Sequence, residues 1–151
     1  MLEIFQKNGV AINGYDVVAF HTQNLAVKGT SSYSHHWGGV DWYFKDEQHL
    51  NLFQQDPEKY IPQFGGYCAF GASEGYLAAP KPQALTIQDG KLYLNLAKYV
   101  RNRLKEKMDE KIEKANQHWP SIKSSNPITA KPIPIWWKYQ FLKLVGKDLF
   151  S

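Results

Sequence analysis

Residues 84–94 read Ala-Leu-Thr-Ile-Gln-Asp-Gly-Lys-Leu-Tyr-Leu, and they carry the clearest local structure signal in the chain. Asp89 and Gly90 stand between two runs of β-type residues. An Asp-Gly pair in this position is typical of a type I′ turn, because both central residues of that turn need a positive φ. The stretch therefore predicts an antiparallel β-hairpin.

The residues that follow the hairpin predict one long amphipathic helix. Apolar side chains recur there at intervals of three or four residues, which places them on one face of an α-helix, while Lys and Glu fill the other faces. The apolar positions are Val100, Leu104, Met108, Ile112, Ala115 and Trp119. We expect this helix over residues 97–118, ended by Pro120.

The first 45 residues predict strands and turns. Residues 17–21 (Val-Val-Ala-Phe-His), 25–27 and 33–37 are short runs that favour β-structure. In residues 40–44 (Val-Asp-Trp-Tyr-Phe) apolar side chains alternate with period two, as in a strand that buries one face. These runs indicate a small antiparallel meander.

Two short helices are expected between the meander and the hairpin. Asp46 suits the N-cap of a helix with apolar positions Leu50 and Phe53, and Pro57 suits the first position of the next helix. Residues 63–72, rich in small and aromatic side chains, fit either a tightly packed helix or a loop. The sequence thus predicts an α+β fold with four to six antiparallel strands, two or three short helices and the long helix.

Composition indicates one domain with an uneven charge. The 151 residues are 43% hydrophobic and carry a formal charge of +4. Residues 1–80 hold four Lys and eight Asp or Glu, whereas residues 81–151 hold 14 Lys or Arg and six acids. A basic half attracts nucleic acid or anionic lipid in some proteins, but we expect a solvated helix surface and no nucleic-acid partner.

The sequence also bounds the compartment and the redox chemistry. Its first residues contain no apolar run that resembles a signal peptide, and no segment is long and apolar enough for a membrane span. As printed, the chain is expected to be cytoplasmic, or periplasmic if a signal peptide was removed. Cys68 is the only cysteine, so an intramolecular disulfide and a Cys-x-x-Cys pair are both excluded.

Several motifs resemble the YHS-domain family, and in particular its stand-alone members. Trp42-Tyr43-Phe44, then Phe53, then Asp56-Pro57-Glu58-Lys59-Tyr60 resemble the core of that domain. Further similar segments are residues 13–20 (Asn-Gly-Tyr-Asp-Val-Val-Ala-Phe), 28–29, 34–39, 62–69 (Pro-Gln-Phe-Gly-Gly-Tyr-Cys-Ala) and 89–95. The resemblance covers about residues 10–120, so we place a YHS-like domain at 1–120, a Pro-containing linker at 121–134 and a basic aromatic tail helix at 135–151.

The resemblance implies a fold related to the treble-clef (TRASH-like) metal-binding modules, in which many members bind metal through cysteines. The family's Asp-Pro-Val-Cys-Gly-Met segment corresponds here to residues 16–21, and its Tyr-Phe-Cys-Ser segment to residues 43–46. Neither segment contains cysteine in this chain. Both metal-ligand cysteines of the family are therefore absent.

A relocated metal site would use the remaining soft and imidazole ligands. A thiolate with imidazoles suits copper or zinc. His35 and Cys68 stand where the stand-alone members carry His and Cys, and His21 is a third candidate; His36 and His49 complete the set. His35 and His36 are adjacent and point to opposite faces of a strand, so at most one of them joins the site.

These residues leave three functions open. By resemblance, we expect a non-enzymatic protein that binds or handles a transition metal, copper or zinc. The alternative is a structural or interaction module that has lost its metal site and binds a protein or small ligand, with Cys68 a small buried hydrophobe and His35 capping a turn. The least favoured alternative is an enzyme with Cys68 as nucleophile, His35 as base and Asp41 as orienting group.

The tail carries its own hypothesis. Trp136, Trp137, Phe141, Leu142 and Val145 would form one apolar side of a basic helix, flanked by Lys138, Lys143 and Lys147. Such a helix binds an anionic membrane surface, or docks on its own domain, a second copy or another protein. We expect docking on the domain or on a partner subunit.

Overall fold

The structure, a computed structural model, describes residues 3–124, so the tail prediction and residues 125–134 of the predicted linker lie outside the described residues. Within them are six strands and six α-helices. The strands are β1 (Gln6–Lys7), β2 (Val10–Ala11), β3 (Thr30–Trp37), β4 (Val40–Phe44), β5 (Lys81–Gln88) and β6 (Lys91–Asn95). The helices are α1 (Val17–Gln23), α2 (Glu47–Gln55), α3 (Pro57–Tyr60), α4 (Ala69–Ser73), α5 (Lys98–Glu106) and α6 (Met108–Ile122).

The strands form two sheets, which confirms the α+β class and corrects the predicted single antiparallel sheet. Strands β1 to β4 make a sheet of order β1-β2-β4-β3, and among the described residues β5 pairs only with β6. The β2–β4 pair is parallel, whereas the other strand pairs are antiparallel. Strand β3 therefore lies at the edge of the first sheet, with its outer side unpaired among residues 3–124.

The two strongest strand predictions are confirmed. In β4, Val40, Trp42 and Phe44 are buried while the residues between them are half-buried, as the period-two pattern requires. In the β5–β6 hairpin, Asp89 has a φ of 53° and Gly90 a φ of 75°, both of the sign that a type I′ turn demands.

Residues 17–21 form part of helix α1, so the predicted strand there is wrong. Asp16 is the N-cap, and its Oδ1 accepts a hydrogen bond from Ala19 N at 3.0 Å. Residues 17–20 are all buried. Their hydrophobic pattern therefore shows neither the period of a half-buried helix nor that of a half-buried strand. Residues 25–27, also predicted as a strand, belong to the loop between α1 and β3.

The helix starts at Asp46 and Pro57 are confirmed. Asp46 Oδ1 accepts a hydrogen bond from His49 N at 2.9 Å, and Pro57 is the first residue of α3. Residues 63–72, which the pattern left between helix and loop, contain both: a 3₁₀ turn over Gln63–Gly66 is followed by α4.

The predicted long helix is two helices. The chain leaves helical geometry at Lys107 (φ −138°, ψ 50°), which separates α5 from α6. Pro120 lies inside α6, which reaches Ile122 in the first residues of the predicted linker. Ile122 is buried and Trp119 packs against the same cluster, and this burial holds the last turn despite the hydrogen bond that Pro120 cannot make.

Within residues 3–124, two hydrophobic clusters stabilise the fold. The N-terminal core gathers α1, α2 and the buried face of β4, with Phe53 contacting the rings of Trp37, Trp42 and Phe44. The C-terminal core joins α4 to α5 and α6, so the predicted apolar face of the helical region is confirmed. No helix within residues 3–124 is long and apolar enough to cross a membrane.

Candidate functional site

Cys68 is fully buried in the C-terminal core. Its Sγ lies 3.5 Å from Asn95 Oδ1 and accepts a hydrogen bond from Gly71 N at 3.4 Å, which makes it the N-cap of α4. Burial raises the pKa of the Cys68 thiol to about 11. A thiol that stays protonated at neutral pH is a poor nucleophile and a poor metal ligand.

His35 and His36 lie on edge strand β3, so neither caps a turn. The His35 ring packs edge-on against Phe53 at 6.2 Å and its Nδ1 lies 3.4 Å from Gln54 Nε2. His36 is exposed and its Nδ1 lies 2.7 Å from Asp41 Oδ1. Asp41 therefore contacts His36 rather than His35, so the geometry lends no support to the predicted Cys68–His35–Asp41 arrangement.

His21, the third predicted ligand, contacts α3. Its Nε2 lies 3.3 Å from Tyr60 O and its ring packs edge-on against the Tyr60 ring at 5.5 Å. Burial lowers the pKa of His21, and the neighbouring Lys59 lowers it further, against a raising effect of the Tyr60 carbonyl. Burial and Lys59 therefore both favour the neutral imidazole.

Within residues 3–124, the predicted ligands are divided between the two cores. Cys68 belongs to the C-terminal core, while His35 packs on Phe53 of the N-terminal core. Among residues 3–124, no three His, Cys, Asp or Glu side chains are grouped so as to hold a metal ion. The sequence prediction of a site at Cys68, His35 and His21 thus has no geometric support in this part of the chain.

Among residues 3–124, the more enclosed of the Asp–His contacts joins Asp16 to His49. Asp16 Oδ2 lies 2.8 Å from His49 Nδ1 and also accepts from Lys45 N at 2.9 Å, and the same carboxylate caps α1. Asp16 is 0% exposed and His49 7%. The pair ties α1, the end of β4 and α2 together, and its enclosure makes it a structural junction rather than a reactive site.

Backbone strain is concentrated in a left-handed turn at Ile12–Gly14. The φ angles are 50° at Ile12, 54° at Asn13 and 78° at Gly14. Glycine and asparagine adopt this region readily, but a β-branched residue such as isoleucine rarely does. Left-handed conformation costs about 1–2 kcal/mol for each residue that has a Cβ.

A second left-handed turn packs against the first. Phe64, Gly65 and Gly66 have φ angles of 54°, 62° and 87°. Phe5 connects the two turns, because its N donates to Gly65 O at 2.8 Å while its O accepts from Ile12 N at 3.1 Å. Each strained turn is therefore held by backbone hydrogen bonds to the same segment.

The first turn forms part of the wall of an open groove of about 480 Å³. Its volume is in the range of small-molecule sites. The lining residues are Lys7, Val10, Asn13, Gly14, Lys28, Gly29, Thr30, Ser31 and Tyr43. We call this feature the lysine groove.

Two other grooves are weaker candidates. One of about 270 Å³ lies beside the second turn and Trp119, and its volume falls short of the usual range for ligand sites. Another of about 540 Å³ lies between the hairpin and α6 and is lined by Asp89, Asp109 and Glu113. Its carboxylates do not form a metal-binding group, and its positive φ angles belong to an ordinary hairpin turn.

Sequence reasoning missed the lysine groove. Asn13-Gly14 was a visible turn signal, and both turns coincide with segments that carry the YHS resemblance. The lysines are 21 positions apart in sequence, however, and only the Tyr15–Lys28 bridge and the sheet bring their segments to one groove.

Comparisons with models of protein families, with curated proteins and with solved structures find no match for this chain.

Proposed function

We propose that this chain is a non-enzymatic binding module that takes a small ligand in the lysine groove. The observation that carries the proposal is the left-handed Ile12–Gly14 turn: Asn13 and Gly14 line the groove, and the strained Ile12 is buried behind them. Strained backbone persists only where its surroundings hold it, and it is enriched at ligand-binding positions. An unstrained turn would connect β2 to α1 without this cost.

Backbone packing supports the view that the groove has a defined shape. A Cβ at Gly29 would lie 2.5 Å from both C and O of Tyr43, and one at Gly14 would lie 3.3 Å from the Tyr43 ring. Gly29 N also donates to Gly14 O at 2.8 Å. The groove is thus built on rigid backbone, as a preorganised binding site requires.

The proposal places the chain among binding proteins of the YHS type without their thiolate metal site. The treble-clef relationship remains a prediction from sequence resemblance. The buried Cys68 thiol and its high pKa argue against an exposed nucleophile or metal ligand. Copper or zinc handling is therefore the competing function.

The test is a screen of small molecules against the isotopically labelled full chain, followed by amide NMR shifts. We expect ligands to shift the signals of Gly14, Gly29 and Thr30. The variant Ser31→Trp, which fills the groove, should lose binding at least about tenfold. Ser32→Trp is the matched control, because Ser32 is exposed on the same strand but does not line the groove.

A Cu(I) and Zn(II) titration of the wild type and of Cys68→Ser separates the two functions. The proposal predicts no stoichiometric binding that depends on Cys68. Tight one-to-one metal binding that Cys68→Ser abolishes would contradict it and favour metal handling. Ligands that bind elsewhere, or equally to the Ser31→Trp and Ser32→Trp variants, would also contradict it.

A further inference from the structure

The lysine groove concentrates positive charge in an acidic half of the chain. Residues 1–80 contain four lysines and eight carboxylates, and two of those lysines, Lys7 and Lys28, line the groove. None of the eight carboxylates lines it. Charge in the groove is therefore opposite in sign to the net charge of the segment that builds it.

Neither lysine is neutralised by a neighbour. Within residues 3–124, the ion pairs involve other side chains, so no carboxylate pairs with Lys7 or Lys28. Lys28 is nevertheless held in place: its Nζ donates to Asn13 O at 3.2 Å and lies 5.1 Å from the centre of the Tyr15 ring. An ammonium has three donors, so two remain for a ligand.

Neutral donors surround these charges. Thr30 lines the groove, and its Oγ1 accepts a hydrogen bond from Ser32 N at 3.2 Å, which leaves the hydroxyl hydrogen available as a donor. Ser31 adds a second hydroxyl at the same rim. Ammonium and hydroxyl donors without a facing carboxylate are the groups that recognise an oxyanion.

We propose that the ligand of the lysine groove is a small soluble molecule that carries a phosphate group. This inference rests on the proposed function and names its ligand class. Two lysines act as point charges rather than as a planar fork, so they select for charge more than for carboxylate geometry. A phosphate dianion therefore binds better than a monocarboxylate, and binding weakens as salt is added.

The test titrates the labelled full chain at low ionic strength with inorganic phosphate, glycerol phosphate, acetate and glycerol. We expect saturable shifts of groove amides with the two phosphates, weaker shifts with acetate and none with glycerol. Lys7→Gln combined with Lys28→Gln should weaken phosphate binding about tenfold, because glutamine keeps a donor and removes the charge.

The matched control is Lys45→Gln combined with Lys59→Gln, which removes the other two lysines of the same half and gives the same net charge. This variant should bind phosphate within about twofold of the wild type, because neither Lys45 nor Lys59 lines the groove and solvent and salt screen charges outside it. If both double variants weakened binding equally, the phosphate would be bound as an adventitious ion only, attracted by the overall charge of the protein. That result would overturn the proposal.

Two further outcomes separate this inference from the proposed function. If neutral molecules bind the groove and phosphates do not, the ligand class is wrong while the binding function stands; if nothing binds there, both fail. Vesicles containing phosphatidic acid form the last arm. Binding to the vesicles without binding to soluble phosphates would overturn the proposal of a soluble ligand.

Discussion

Gly66 lies directly against Ile12, and both residues have a positive φ. A Cβ at Gly66 would stand 2.4 Å from Ile12 Cδ1, closer than any real contact allows. Gly66 therefore leaves the space that the buried Ile12 side chain occupies, and a larger residue at position 66 would force Ile12 Cδ1 to move. The groove wall thus depends on a core contact behind it.

This contact predicts a large effect of Gly66→Ala. The alanine would meet both the left-handed φ of 87° and the Ile12 side chain, so we expect a loss of about 2–4 kcal/mol in the free energy of unfolding by urea titration. Gly90→Ala is the matched control, because Gly90 has a φ of 75° and nothing lies within 4 Å of its added Cβ. It should cost only about 1 kcal/mol.

A double-mutant cycle isolates the clash from the backbone cost. Ile12→Val removes the Cδ1 atom, so the cost of Gly66→Ala in that background should fall by about 1 kcal/mol. Gly90→Ala should cost the same in both backgrounds. An unchanged cost of Gly66→Ala would show that the Ile12 contact does not constrain the turn.

Within residues 3–124, two His–Asp pairs have nearly equal lengths, and their energies should differ. Asp16 Oδ2 and His49 Nδ1 lie 2.8 Å apart and are buried, whereas Asp41 Oδ1 and His36 Nδ1 lie 2.7 Å apart and are exposed. Asp16→Asn should cost about 3 kcal/mol, since it breaks a buried pair and removes the charged acceptor of two backbone N–H groups. Asp41→Asn should cost less than about 1 kcal/mol. Similar losses in urea titrations would contradict the structural role assigned to Asp16.

Local chemistry explains which parts of the fold could be predicted. The alternation in residues 40–44 and the Asp89-Gly90 pair determine their structures by short-range rules, and both predictions are confirmed. Residues 17–20 are buried on every side, so their sequence has no period to interpret. Only the capping position of Asp16 distinguishes helix from strand there.

The lysine groove could not be predicted from local sequence patterns. Intrinsic preference opposes a left-handed conformation at Ile12 and Phe64, and tertiary hydrogen bonds through Phe5 override it. Lys7 and Lys28 line one groove because strands from distant segments pair, which no motif encodes. The family resemblance pointed to thiolate and imidazole ligands, and within residues 3–124 those side chains serve packing and capping.

His21 should make the protein sensitive to acid. Because burial lowers its pKa from the ordinary value, the unfolded chain binds the proton more readily than the native protein does. The stability that depends on neutral His21 is present above the unfolded pKa of about 6.5 and is lost as the pH falls below it. We expect His21→Gln to lose less stability than the wild type between about pH 7 and pH 5. Parallel stability profiles of the two proteins would contradict this assignment.

Cys68 should make the protein less stable as the pH rises, the opposite of the effect expected from His21. Its pKa is raised by burial to about 11, so the native protein holds the thiol proton more tightly than the unfolded chain does. This contribution is fully present below the unfolded pKa of about 9 and is lost as the pH rises towards 11. The wild type should lose about 2 kcal/mol more than Cys68→Ala between about pH 8 and pH 10.5 in urea titrations. Ionisation of the tyrosines affects both proteins alike and cancels in the comparison. If the two proteins lost equal stability, the thiol would already be accessible to solvent in the native state, and the case against Cys68 as a metal ligand or nucleophile would fail with it.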